Sequence, residues 1–511
     1  MLPLNDWPLD ILTLITPYLP PASLLALSAT CRALYTPAIR DDASYWRHLT
    51  LDTYRVRDKP AAAANGPYWE RLFRRLRTQS RVYTWGGNQT GLGRPADEEA
   101  LGAVTADLGV VADLQCGGWC TAVLNVRGEV WLTGALNGML YFSLHYGSTK
   151  RPLWRRAEVP PVRQMSVGRK HVLMLCDDGS AWAWVGIRNE DEVVRVNHRA
   201  RTVVAGWDRS SARVEGGIAV WSDENSDKPH ELIDADADTH ILLEHFVVFL
   251  SDGQLFASRV PGTPFALPLP PTLDVQGSFR RFGVFTKSGA VLVLEQAFLE
   301  AFEAGQPPPE PWTIPALQNT GVLTLAFGDY HFHALHADGT ISSYGTEPQD
   351  SEALGLGLRV GVKTIRGMEV LRNGDCKLLP QTYWTGRRVY FNPHAEKWLQ
   401  HMATGGADPG EMQPRFHMTI TTAKPEVSEW IERQLRTRFG PKDEWGSWFA
   451  IGVAAAGWHS AALVLVDGEG VDSENPADFI KDTFPRLVLA DGTEMPGTAE
   501  LQTVEMPWLE A

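Results

Sequence analysis

One frame recurs along this 511-residue chain and restricts its fold more than any other feature. A small residue is followed, eleven positions later, by a turn glycine, with a mostly apolar run between them. Five copies open on glycine: Gly117–Gly128 (GGWCTAVLNVRG), Gly168–Gly179 (GRKHVLMLCDDG), Gly206–Gly217 (GWDRSSARVEGG), Gly328–Gly339 (GDYHFHALHADG) and Gly457–Gly468 (GWHSAALVLVDG). Two more, Leu242–Gly253 and Ser278–Gly289, lack the leading glycine, which makes seven. After most of the turn glycines a second short apolar run follows, such as 129–133 (EVWLT), 180–184 (SAWAW), 218–221 (IAVW), 254–258 (QLFAS) and 340–344 (TISSY). Apolar strand, tight glycine turn, apolar strand is a hairpin signature. A lone hairpin is marginal in water. Seven such units arranged radially bury one another's faces, so the period predicts a seven-bladed β-propeller.

The seventh frame lacks a following Trp- or Tyr-containing strand, and one stands alone near the front at 81–88 (RVYTWGGN). Pairing 81–95 with 450–468 would close the ring and remove its sheet edges. Phe449 to Val466 has no Asp, Glu, Lys or Arg over eighteen residues. It is short for a membrane span and carries Gly452, Gly457, His459 and Ser460, so it reads as a buried inner strand with its lead-in. Residues 367–448 fit no frame. They contain two helix-like pieces, 395–402 and 425–439, and read as a partly helical insertion.

The first 80 residues are different. Ile11, Leu12, Ile15, Tyr18 and Leu19 follow helical spacing, and Pro20-Pro21 ends that segment. Ser23 is an expected N-cap for a second helix carrying Leu24, Leu27, Cys31 and Leu34. Trp46 and Leu49 suggest a third, short helix, and 57–66 reads as a linker with an alanine run. Pro67 then opens a further helix with Trp69, Leu72, Phe73 and Leu76 inward. The expected organisation is a helical module over 1–50, a linker and helix over 51–80, and the propeller over 81–511.

Two resemblances follow. Residues 7–12 (WPLDIL), 18–27 (YLPPASLLAL), 31–35 (CRALY) and 45–49 (YWRHL) resemble an F-box, with Trp7 standing where leucine is usual and Pro17 inside the first helix. Residues 83–93 (YTWGGNQTGLG), and the Gly-x-x-His-x-x-x-Leu runs at Gly168–Leu175 and Gly328–Leu335, resemble the repeats named for the regulator of chromosome condensation. The implied fold is a small all-α F-box module followed by an all-β seven-bladed propeller of that type. In this combination the chain looks like fungal substrate receptors of SCF ubiquitin ligases. The resemblance implies docking on a Skp-type adaptor and its cullin scaffold, with the propeller holding a protein substrate for ubiquitination. By motif position the docking residues are Pro8, Leu12, Ile15, Leu24, Leu27, Cys31, Leu34 and Trp46, some of which must also build the module's own core. The aromatic and arginine residues of the insertion, Tyr383, Trp384, Arg387, Arg388 and Trp398, are candidates for substrate binding, because interface hot spots favour these types. The alternatives are a nucleotide-exchange factor for a small GTPase of the Ran type, which the repeat family includes, and a propeller scaffold whose helical cap binds something other than Skp.

Other chemistry is weakly supported. The formal charge of −14 and the absence of a basic tail disfavour nucleic acid as a partner. Five scattered cysteines and a non-basic N-terminus point to a reducing, intracellular setting in the cytoplasm or nucleus. His331 and His333 share a strand face while His336 points away, so three ligands cannot converge. His331 holds the fourth place of the frame, as His171 and His245 do, which favours a repeat-structural role. Cys116 and Cys120 lack the second pair a zinc site needs, and the Asp234-x-Asp236-x-Asp238 run lacks the glycine and glutamate of a calcium loop. No P-loop, dinucleotide fingerprint or nucleophile elbow is present. The expectation is a chain with no catalytic residues, no metal, no cofactor and no membrane segment.

Overall fold

The computed structural model describes residues 7–87, 91–94, 101–136, 154–187, 190–197, 199–222, 231–347, 351–356, 368–370, 376–378, 387–392, 395 and 448–466. Five helices come first: α1 (Leu9–Ile15), α2 (Pro21–Ser28), α3 (Pro37–Arg40), α4 (Ala43–Tyr54) and α5 (Gly66–Gln79). α2 begins at Pro21 directly after Pro20, so Ser23 sits inside the first turn and is not the cap. Proline at the first helical position supplies the right φ and lacks an N–H that would have no partner there. The third helix is not short: α4 runs twelve residues, started by the Asp42 carboxylate accepting from the Ser44 amide at 2.9 Å. Asn65 caps α5 by accepting from the Tyr68 amide at 3.1 Å. Leu12, Leu24, Leu34, Ile39, Tyr45, Trp46, Trp69 and Leu72 are buried together. The two indoles are satisfied, Trp46 Nε1 donating to the Arg40 carbonyl at 2.7 Å and Trp69 Nε1 to the Ala62 carbonyl at 2.9 Å.

The strands that follow make seven antiparallel sheets, the blades of a propeller. Strands are lettered a to d outward from the axis. Blade 1 is Val111–Cys116, Trp119–Asn125, Val130–Ala135 and Arg155–Arg156. Blade 2 is Val162–Val167, His171–Cys176, Ala181–Ile187 and Glu190–Val196. Blade 3 is Thr202–Ala205, Arg209–Val214, Gly217–Ser222 and Glu231–Ile233, and blade 4 is Thr239–Leu242, Phe246–Ser251, Gln254–Arg259 and Phe265–Ala266. Blade 5 has three strands, Thr272–Ser278, Arg281–Thr286 and Val291–Glu295; α6 (Gln296–Glu303) follows, and Trp312 returns to bridge Val293 where a fourth strand would lie. Blade 6 is Val322–Phe327, His331–His336, Ile341–Glu347 and Arg387–Val389, and Cys376–Leu378 with Met368–Val370 adds two short strands at the end of Ile341–Glu347.

Blade 7 joins distant segments. Its a and b strands are Trp448–Ala456 and His459–Val466, and its c and d strands are Ser80–Gly86 and Leu101–Ala103. Ser80 pairs with Leu465 and Gly86 with His459. Two sequence expectations need correction. The apolar stretch 449–466 is a hairpin of two buried strands, not one inner strand with a lead-in. Residues 387–392 are the outer strand of blade 6 and its exit, not insertion, because Ser343 and Ile341 pair with Arg387 and Val389. The helix-like pieces at 395–402 and 425–439 fall outside the described residues, apart from Ala395.

The frame marks strand b. It is buried on both faces, as in Trp119–Asn125 and His171–Cys176. Each blade packs against two neighbours, so its residues do not alternate between apolar and polar. The a strands touch in a closed circuit around the axis. Glutamines bind three of them to the next blade: Gln115 to the Met165 carbonyl at 2.8 Å and the Val167 amide at 3.1 Å, Gln164 to Val203, and Gln276 to the Leu323 carbonyl and the Leu325 amide. A side-chain amide offers both a donor and an acceptor, so one residue replaces a missing ladder pair.

Candidate docking surfaces

The propeller has two faces. One carries the b–c turns, and the chain from α4 to α5 crosses it. Arg55, in the left-handed region at φ 56°, donates to the Val126 and Val162 carbonyls at 3.2 and 3.1 Å and forms a two-pronged pair with Asp177 at 2.7 Å. Arg57 reaches Asp113 of blade 1 at 3.8 Å. Pro60–Ala62 packs against the a strands of blades 5 and 6. Lys59 is buried beneath this strap, and burial pushes its ammonium down to about 8 against the pull of Asp113. Burial likewise raises the Asp274 carboxyl to about 6. Residues 57–66 are therefore a packed strap, and one continuous apolar core runs from the helical module into blades 1 and 7.

The module faces solvent with an apolar stripe. Ile11, Leu14, Ile15 and Tyr18 fall at i, i+3, i+4 and i+7 along α1 and the turn after it, and are 39, 67, 38 and 86% exposed. Trp7 and Tyr35 of the module are also exposed. The expected docking residues divide. Pro8 and Ile15 are exposed, and Leu27 and Cys31 are half-buried. Leu12, Leu24, Leu34 and Trp46 are core residues, because four short helices need their own interior before they can present a surface. Ile11 and Tyr18 were read from the sequence only as part of the helix's spacing, and Leu14 was not named; none was among the expected docking residues, and their spacing opposite buried Leu12 and Thr16 is the signal that sets them on the exposed stripe. Ala29, Cys31, Arg32 and Tyr35 line a shallow hollow elsewhere on the module.

The opposite face carries the a–b turns, which meet around the axis. Arg169 of blade 2 lies 3.6 Å over the Trp207 ring of blade 3, which stacks at 3.9 Å on Phe279 of blade 5. Arg280 flanks Phe279 at 4.9 Å. Each end is anchored by a carboxylate, Asp329 of blade 6 on Arg169 at 3.4 Å and Glu244 of blade 4 on Arg280. Blades 2 and 6, and blades 3 and 5, are not neighbours, so these contacts span the axial opening. Trp119 and Trp458 meet edge-on at 5.6 Å beside them, and Tyr330 is 44% exposed. These residues occupy the second and third places of the frame, a position that reads as turn in the sequence and gathers into one surface only in the ring.

The histidines lie between blades. His171 Nε2 meets Ser210 Oγ at 2.9 Å, His331 Nε2 meets Ser460 Oγ at 2.7 Å, and His459 Nε2 meets Thr121 Oγ1 at 3.2 Å. His240 does the same with Ser211 at 3.0 Å. Burial holds His333 and His240 at about 3 and His459 at about 4, so they are neutral. His245 departs from the expected structural role: it is exposed beside Glu244. Cys116 and Cys120 are buried, and burial pushes the Cys116 thiol up. Among the described residues no cluster of three or more His, Cys, Asp or Glu could hold a metal ion, and no helix is long and apolar enough to cross a membrane.

Of the candidate substrate residues, Arg387 is fully buried in the outer strand of blade 6 and cannot face a partner. Arg388 beside it is half-buried. Tyr383, Trp384 and Trp398 lie outside the described residues.

Comparison with known proteins agrees with both halves. Residues 4–52 match the F-box-like family. Over 385 residues the chain is 23% identical to the F-box protein pof9 of Schizosaccharomyces pombe, covering 68% of this chain and 78% of the relative. Among solved structures it is similar to Prp20p of Saccharomyces cerevisiae, at 13% identity and TM-score 0.51, covering 83% of this chain and 97% of that one. The yeast RCC1 protein (Prp20) bound to Kap60 matches at 14% identity and TM-score 0.50 over 79% of this chain and 92% of that one. The chain thus carries an F-box-like domain ahead of a seven-bladed propeller of the RCC1 (Prp20) fold.

Proposed function

We propose that this chain is the substrate-recognition subunit of an SCF-type ubiquitin ligase. The helical module docks on a Skp-type adaptor carried by a cullin scaffold, and the a–b face of the propeller holds the protein substrate. The observation that carries this reading is the exposed stripe Ile11, Leu14, Ile15 and Tyr18 on an F-box-like domain. Apolar patches of this kind mark protein–protein sites. The strap at Arg55–Ala62 supports the division of labour, because it fixes the module on the face opposite the a–b turns. The a–b face has the aromatic and arginine composition of interface hot spots. The chain itself is non-catalytic and intracellular in this reading. It acts by proximity, raising the effective concentration of substrate near a conjugating enzyme.

The test is binding of the purified protein to a Skp adaptor, comparing wild type with Ile11→Asp plus Leu14→Asp. Both residues are exposed, so the variant keeps the wild-type unfolding transition, and adaptor binding is lost. A folded wild type that does not bind overturns the proposal. Prp20p has been described with its binding to Gsp1p and histones; exchange assays on small GTPases would then test the alternative.

A further inference from the structure

α5 carries an arginine row. Arg71, Arg74, Arg75 and Arg77, with Arg81 at the start of the strand that follows, stand against one carboxylate, Glu70, in the same stretch. Tyr68, Trp69, Leu72 and Leu76 bury the opposite side of the helix, which leaves Arg74, Arg77 and Arg81 exposed. Among the described residues Glu70 engages Arg74, and Arg75 Nε donates to Gln79 Oε1 at 2.6 Å. This cationic row lies on a chain whose net charge is −14.

Residues 467–511 hold eleven carboxylates and two cations, a net charge of −9 against −14 for the whole chain. Strand b of blade 7 ends at this spot. Leu465 pairs with Ser80 and Val464 with Arg81, so the chain leaves Val466 beside the end of α5. Charge complementarity and the exit point identify the same occupant.

We propose that the arginine row of α5 is the docking surface for this chain's own acidic segment 467–511. Tethering supplies a high local concentration of the segment. Exposed ion pairs are individually weak, and three of them together give on the order of tenfold preference for the docked state. The contact would keep other acidic partners off the helix that joins the F-box-like domain to the propeller. It rests on charge and topology, not on the ligase reading, so either can fail alone.

The test is amide hydrogen exchange on the full-length protein at low and high salt, comparing wild type with Arg74→Glu, Arg77→Glu and Arg81→Glu combined. Peptides from 467–511 should exchange about tenfold more slowly in wild type at low salt than in the triple variant. High salt should erase that protection, because the Debye length falls to about 3 Å at 1 M. Blade 7 peptides should be unaffected, which shows that the variant is folded. Segment peptides that exchange at the unprotected rate in wild type, or stay protected in the triple variant, overturn the proposal. Arg74→Lys, Arg77→Lys and Arg81→Lys, which keep the charge, should restore the wild-type rate.

Discussion

Ser460→Ala tests how blades 6 and 7 are joined. Ser460 Oγ lies 2.7 Å from His331 Nε2, 2.8 Å from His333 Nε2 and 3.3 Å from the Ala353 carbonyl, and all three side chains are fully buried. A hydroxyl has one donor and two acceptor sites, so it can serve all three groups at once. Alanine removes about one atom of volume and leaves two imidazole nitrogens without that partner in a site closed to water. An unsatisfied buried polar group costs about 1–3 kcal/mol, which gives a loss of about 2–6 kcal/mol for the pair. The imidazoles cannot compensate by taking a proton, since burial pushes both pKa values far down, that of His333 to about 3. Urea unfolding followed by tryptophan fluorescence measures the effect, with Thr30→Ala on the exposed end of α2 as the reference. The midpoint should fall with an unchanged slope. A loss below about 0.5 kcal/mol, the range of ordinary surface substitutions, would refute the claim that this hydroxyl satisfies the interblade histidines.

Three further outcomes are expected. Leu14→Ala should leave stability unchanged and weaken adaptor binding about tenfold, while Leu12→Ala should destabilise the module by about 2–4 kcal/mol; equal stability losses for the two would show that the stripe is core. His240, His333 and His459 are neutral in the fold, with pKa values of about 3, 3 and 4 against about 6.5 unfolded, so their contribution is present above pH 6.5 and lost as pH falls towards 4, by about 1.4 kcal/mol per unit for each. Urea titrations at pH 7 and 5 read that slope, and His459→Asn should reduce it; an unchanged slope counts against the assignment. Gly457→Ala should destabilise the ring closure, because the glycine sits at φ +51° and an added Cβ would lie 2.3 Å from the Gly118 carbonyl oxygen of blade 1; a wild-type melting temperature would contradict it.

The propeller was legible because each copy of the frame holds its own strand, turn glycine and return strand within a few residues. Gly128, Gly179, Gly253, Gly289 and Gly339 all take positive φ in those turns, a local demand that leaves a local trace. Even degenerate copies such as Ser278–Gly289 kept it. The module's helices were legible for the same reason, by their spacing of apolar residues. Caps were less so: Ser23 has the right chemistry, yet Pro20-Pro21 starts the helix earlier.

Periodicity says that a residue is apolar and on a stripe, and it is silent on whether the stripe meets the core or solvent. Leu12 and Leu14 differ only by position on α1, and packing against Trp46 and its neighbours decides that the first is buried while the second is 67% exposed. Arg387 looked like a binding arginine until strand pairing with Ser343 placed it inside blade 6. The a–b face is the clearest case. Arg169, Trp207, Phe279 and Asp329 come from four blades spread over 160 residues, and no local pattern marks them as partners. Repeat identity and blade count were set by the sequence because they depend on short-range turn and strand preferences. The faces, the strap and the axial stack were decided by the closed ring, which brings together turns that are distant along the chain.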